Sequence, residues 1–169
     1  MKAIAINTYD SYRYLLTIGS NLGTRERYLS RAIEELIKNE IKLINKSTIY
    51  NNSAQLNATH DFLNQSILIE TKIRPTELMS LLQEIEDHLG RDRSVYKGDR
   101  TIDLDISYAQ LRVKNASHWQ NIAFKDINVE IPHPLAHKRD FVLLTASEVA
   151  PEWVDPINNK TIKELLNCL

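Results

Sequence analysis

One cysteine, four glycines and five prolines among 169 residues close off several architectures at once. The single thiol, Cys168, excludes an intramolecular disulfide framework and a cysteine-rich zinc site. The few glycines and prolines form no linker, and there is no internal repeat or low-complexity tract. No apolar run approaches the roughly 20 residues that span a bilayer. The first residues, MKAIAINTYDSYRY, hold only a short apolar stretch before Asn7 and Asp10, unlike a signal peptide. An excess of one charge is also missing: 21 basic against 22 acidic residues leaves a formal net of −1. That argues against a bulk nucleic-acid binder, which needs a basic field. The expectation is a cytoplasmic, single-domain protein with no membrane or nucleic-acid partner, long enough to bury its own core.

The patterning supplies the elements. Leu15-Leu16-Thr17-Ile18 reads as a buried strand, stopped by Gly19-Ser20-Asn21-Leu22-Gly23. Leu29, Ala32, Ile33, Leu36 and Ile37 fall on one face of a helix over 25–39. A strand follows from Ile41 toward Tyr50, then a polar loop over 51–60. Phe62 to Thr71 reads as a third strand. Pro75 suits a first helical position, Leu78, Leu81, Leu82, Ile85 and Leu89 mark the helix, and Gly90 suits its end. Thr101 to Tyr108 is a fourth strand. The order β-α-β-β-α-β predicts an α+β fold with a ferredoxin-like core, an antiparallel sheet carrying helices on one face. A further hairpin over 109–131, a helix over 135–149 and a short helix in 160–169 complete the expectation. Residues 1–13 read as an arm before a single domain over 14–169.

Arg100-Thr101-Ile102-Asp103-Leu104-Asp105-Ile106 concentrates the chemistry. Side chains alternate along a strand, so Ile102, Leu104 and Ile106 share one face and Asp103 and Asp105 the other. The two carboxylates then stand roughly 6–7 Å apart by strand rise. Held that close they repel unless a cation lies between them, and Mg²⁺ accepts one or two carboxylates while leaving sites for phosphate oxygens. A bare pair is also the ordinary polar face of a half-buried strand. What precedes it shifts the balance: Arg91, Arg93, Lys97 and Arg100 crowd one loop, and arginine grips phosphate bidentately. Asp92 and Asp99 are interspersed, so by itself that loop also reads as solvated, self-neutralising surface. His133 and His137, with Lys138 and Arg139, form a third basic group. No H-E-x-x-H pattern or cysteine supports a zinc site there, so a phosphate or nucleotide contact is preferred. Neither a P-loop nor a dinucleotide fingerprint is present.

Taken together these pieces resemble the 6-hydroxymethyl-7,8-dihydropterin pyrophosphokinases. The carriers are Gly19-Ser20-Asn21-Leu22-Gly23, Phe62-Leu63-Asn64, Gly90-Arg91-Asp92-Arg93, Gly98 through Ile106, Pro132-His133 and Arg139-Asp140-Phe141. The resemblance spans 14 to about 165 and implies transfer of pyrophosphate from ATP to the pterin's hydroxymethyl group, releasing AMP, in folate biosynthesis. It implies two Mg²⁺ ions on Asp103 and Asp105, with Arg91 and Arg100 on the transferring phosphates as catalytic groups. Gln83, Arg91, Arg100, Ile106, His133 and Arg139 would form the ATP site, with Glu86 in the polar network nearby. Asn52, Phe62, Asn64 and Phe141 would hold the pterin, the two rings as a sandwich; core packing is the other reading of those rings. Segments 51–60 and 91–100 would close as lids, and the chain would act as a monomer. The chain departs from the family pattern at Asn52, Lys97, Asp99 and Asn128, all on lid loops or phosphate contacts. Two other readings stay open: a diverged paralogue that binds a pterin or nucleotide without turnover or takes another pterin-like substrate, and an RNA binder. The second is disfavoured because the inner strands offer only Tyr14 and Tyr108 as aromatics.

Overall fold

In the computed structural model the chain is described over residues 9–54, 58–94 and 98–169, side chains at 9 and 10 excepted. Residues 1–8 of the expected arm, 55–57 of the polar loop and Lys97 lie outside the described residues. The first half runs β1 (Tyr9–Ser20), α1 (Arg25–Lys38), β2 (Lys42–Lys46), β3 (Tyr50–Asn52), β4 (Phe62–Thr71) and α2 (Pro75–His88). The second runs β5 (Asp103–Val113), β6 (Gln120–Ile122), β7 (Phe124–Lys125), β8 (Glu130–Ile131) and a 3-10 turn at Ala136–Lys138. It ends with α3 (Asp140–Val149), β9 (Val154–Asp155), β10 (Lys160–Thr161) and α4 (Ile162–Leu166).

Leu29, Ala32, Ile33 and Leu36 bury one stripe of α1, while Ile37, expected inward, is 51% exposed at the stripe's rim. Pro75 opens α2 as expected, and Gly90 follows it with φ +80, the left-handed conformation glycine adopts without strain. The main sheet has the order β2-β4-β1-β5-β6, each pair antiparallel, with β3 also on β4. That is the β-α-β-β-α-β arrangement, with the strand expected over 41–50 divided in two. Ser47 lies at the division, where its carbonyl accepts from Gln65 Nε2 at 2.6 Å.

Two expectations are corrected. The first strand begins at Tyr9, so residues 11–13 belong to the sheet, with Tyr12 and Tyr14 stacked at 5.6 Å, rather than to an arm. The extra hairpin is two pairings, β5 with β6 and β7 with β8. The two helices of the β-α-β-β-α-β core, α1 and α2, share one face as expected, and the added helices α3 and α4 cover the other. Tyr14, Leu16 and Ile18 pack with α1 and α2 in one core; Leu15 and Tyr108 pack with Val142, Leu143 and Ala146 of α3 and Ile162 of α4 in another. A central strand buried on both sides loses its alternation and reads as a continuous apolar run, which is how Leu15-Leu16-Thr17-Ile18 is written. Among the described residues no helix is long and apolar enough to cross a membrane.

Candidate active site

Register aligns the polar residues of three strands. Gly19 of β1 lies opposite Asn64 of β4 on one side and Asp103 of β5 on the other. One row on, Thr17 lies between Ser66 and Asp105. Ile102, Leu104 and Ile106 point the other way, into the core beneath α1 and α2. The two aspartates therefore share a face, as alternation requires. Beyond them the register slips: Leu16 faces Ile106 but Leu15 faces Tyr108, so Ser107 is an extra residue in the strand. Its hydroxyl meets that of Thr17 at 2.7 Å, and its carbonyl accepts from the His133 backbone N–H at 3.0 Å. The bulge thus moves Tyr108 onto the second core and docks the Pro132-His133 segment beside the acidic face.

A cavity opens above these rows. Its walls include Thr17, Gly19, Asn52, Phe62, Asn64, Arg100, Asp103, Asp105, Arg139 and Phe141. Helix α3 starts at its rim, so Arg139, the residue capping that helix, and Phe141 in the first turn reach the cavity together. Each ring carries a guanidinium: Arg100 lies 5.6 Å from the Phe62 centroid and Arg139 lies 5.8 Å from that of Phe141. Asn64 is 4% exposed and donates from Nδ2 to Asn52 Oδ1, so two carboxamides are chained at the aromatic end. Gly19 leaves room for them, since a Cβ there would sit 2.8 Å from Asn64 Oδ1 and the carboxamide would have to move.

The acidic end is heavily wired. Asp103 accepts from Arg91 Nη1 at 2.5 Å and from Arg100 Nη1 at 2.9 Å. Arg91 also donates to Glu86, which is 3% exposed and accepts from the Leu104 backbone N–H at 2.7 Å. Arg93, expected with the phosphate-binding cations, is instead tied to Glu86 at 2.9 Å and Asp87 at 2.8 Å. Burial pushes the Glu86 carboxyl above its ordinary value, and Arg91, the Leu104 N–H and Arg93 only partly offset this. Asp105 differs from Asp103: among the described residues it has no cation within 4.0 Å. Burial and then the Asp103 charge push its carboxyl up to about 7, with Arg139 opposing. Asp105 is therefore the carboxylate of this face left without a directly paired guanidinium. The donor set suits a hard divalent cation, which needs only one or two carboxylates. No group of three or more metal-ligating side chains exists among the described residues.

Residues 15–151 match the family described as 7,8-dihydro-6-hydroxymethylpterin-pyrophosphokinase, HPPK. The chain belongs to this family. A 2-amino-4-hydroxy-6-hydroxymethyldihydropteridine pyrophosphokinase of Porphyromonas gingivalis is 34% identical over 145 residues, 83% of this chain and 92% of that protein. One of Bacillus subtilis is 34% identical over 144 residues, 81% of this chain and 77% of that one. A folic acid synthesis protein of Dictyostelium discoideum is 32% identical over 142 residues, and this chain spans only 20% of its length. Among solved structures, a Plasmodium falciparum HPPK-DHPS protein with pteroate superposes with a TM-score of 0.67 at 16% identity. The match covers 95% of this chain and 44% of that one, and shows the fold.

Set against this HPPK framework, the expected residues divide. Asn52, Phe62, Asn64, Arg100, Asp103, Asp105, Arg139 and Phe141 meet in the cavity, and Arg91 reaches it through Asp103. Ile106 does not line it; its side chain is 2% exposed in the opposite core, which leaves only its backbone for a ligand. Gln83 is an exposed residue of α2, and His133 stands behind the bulge. The His133 ring accepts from the Leu135 N–H at 3.1 Å, and burial followed by Arg139 lowers its pKa. Thr17 and the room left by Gly19 were not assigned from sequence. Their signal was available: a hydroxyl and a glycine interrupting a buried apolar strand.

Proposed function

We propose that this chain transfers the β,γ-pyrophosphate of ATP to the hydroxymethyl oxygen of 6-hydroxymethyl-7,8-dihydropterin, releasing AMP, as a step of folate biosynthesis. The observation that carries the reading is the convergence, in an HPPK chain, of two aromatic rings, two carboxamides, two aspartates and two arginines on one cavity. In this reading the pterin lies between Phe62 and Phe141, its amide edge on Asn64 and Asn52. A flat heteroaromatic suits such a slot. The hydroxyl oxygen attacks the β-phosphorus and gives up its proton to solvent, and the bond from that phosphorus to the α,β-bridging oxygen breaks. AMP leaves with that oxygen.

Positioning and charge neutralisation carry such a transfer. Asp103 and Asp105 would hold two Mg²⁺, which when bound neutralise the polyphosphate and polarise it toward attack. Arg91 and Arg100, now on Asp103, would turn to phosphate oxygens once that carboxylate served a metal. Arg139 faces the same charge from the rim of α3. Gln83, the Ile106 backbone and His133 would complete the ATP site. Segments 51–60 and 91–100 would close over the substrates and exclude water. The chain would work as a cytoplasmic monomer, without nucleic-acid or membrane partners.

The test is AMP release from ATP and the hydroxymethyl pterin. Asp105→Ala and Asp103→Ala are each expected to lower the rate by about 100-fold or more, the scale of losing one preorganised charge-stabilising group. The fold should survive, as read by circular dichroism. Turnover near wild type in either variant would remove the metal assignment.

A further inference from the structure

Asp99, one of the positions where the chain departs from the family pattern, precedes Arg100 and is the most heavily hydrogen-bonded side chain outside the cavity among the described residues. The Thr59 hydroxyl donates to Oδ2 at 2.5 Å and the Thr59 N–H to Oδ1 at 2.9 Å. His60 Nδ1 stands 2.7 Å from Oδ2, and the His60 N–H reaches Oδ1 at 3.3 Å. Asn21 Nδ2 donates to Oδ1 at 2.7 Å. Asn21, 1% exposed, ties the same three segments a second time: its Nδ2 donates to the His60 carbonyl at 3.0 Å and its Oδ1 accepts from the Arg100 N–H at 2.7 Å. The carboxylate thus joins 58–60 to 98–100 across the end of β1.

What lies beyond each segment gives the tie its meaning. Two residues after His60 comes Phe62, one wall of the cavity. The residue after Asp99 is Arg100, whose guanidinium lies over that ring and on Asp103. We propose that Asp99 is a positioning residue that makes the aromatic wall and the phosphate-facing arginine one unit before either substrate binds. It touches no reacting atom; it acts through Arg100 and Phe62. The inference rests on the reading that Phe62 faces the pterin and Arg100 the phosphates.

Two measurements on the full chain test it. In Asp99→Ala, amide exchange at Thr59 and His60 is expected to speed up at least about tenfold while amides of β1 and β4 keep their protection, the pattern of a local opening. Thr59→Val removes one donor to Asp99 while leaving the Asp99 and Arg100 side chains themselves unchanged. It is expected to lower kcat several-fold, because misplacing a charge-stabilising group acts in the transition state, and Thr59→Ser should restore it. Unchanged exchange in Asp99→Ala would overturn the tie. Faster exchange with wild-type kcat in Thr59→Val would overturn the coupling. A wild-type chain that protects these amides yet forms no AMP would count against the reading of the cavity and not against the tie.

Discussion

Gly19→Ala adds one methyl group at a backbone conformation that any residue tolerates, yet that methyl would stand 2.8 Å from Asn64 Oδ1 and 3.7 Å from the Phe62 ring. The carboxamide must turn away. The expected result is a melting temperature near wild type with the pterin KM raised about five- to tenfold, the scale of one lost hydrogen bond. Steady-state kinetics beside a thermal melt separate the two. Asp99 makes a second residue-scale prediction. The Thr59 hydroxyl, opposed by burial and helped by His60 and two backbone N–H groups, holds its carboxyl well below the ordinary value. A depressed folded-state pKa stabilises at pH above the unfolded value, about 3.9, and that contribution is lost as pH falls through the folded one. The stability difference between wild type and Asp99→Asn in urea should hold steady from about pH 7 to 5 and shrink below about pH 4. A difference unchanged at about pH 2.5 would contradict the assignment.

Among the elements, α2 shows how packing and site are joined. Its inner face seats Leu78, Leu82 and Ile85, and the same face carries Glu86 to the start of β5, where it bonds the Leu104 N–H at 2.7 Å. Leu82 is fully buried, so Leu82→Ala should cost about 2–5 kcal/mol in denaturant unfolding. Ile37→Ala, on a residue 51% exposed, should cost less than about 1 kcal/mol. The helices and β4 were legible because their periods are unbroken: β4 runs Phe62–Thr71, as its pattern predicts. β1 was read too short because Tyr12 and Arg13 interrupt the apolar run that marks a strand covered on both sides. The shared face of Asp103 and Asp105 was legible from alternation alone. The bulge at Ser107 was not, since nothing in Ile106-Ser107-Tyr108 marks an extra residue; it is defined by the partner strand. Nor was the Asp99 tie, whose partner Thr59 lies 40 residues away. Alternation also turns the Ile106 side chain away from the aspartates, so only its backbone is placed to serve the nucleotide.

At the scale of the molecule, the sheet separates two jobs. The face under α1 and α2 is a continuous apolar core, and the other face is divided between a smaller core under α3 and α4 and the polar cavity. The floor of the site therefore stands on the paired strands β1, β3, β4 and β5, with Arg100 added from the loop before β5 and Arg139 and Phe141 from the start of α3. A strand-built floor suits a transfer that depends on fixed positions. The acidic face, the arginines and the aromatic slot are expected to act together in moving a pyrophosphate unit. Phosphorus NMR of the wild-type chain with ATP, the hydroxymethyl pterin and Mg²⁺ tests this directly. The expected products are AMP and a diphosphate ester of the pterin, formed only when both substrates and the metal are present. Formation of ADP with a monophosphate ester, or no change in ATP, would contradict it.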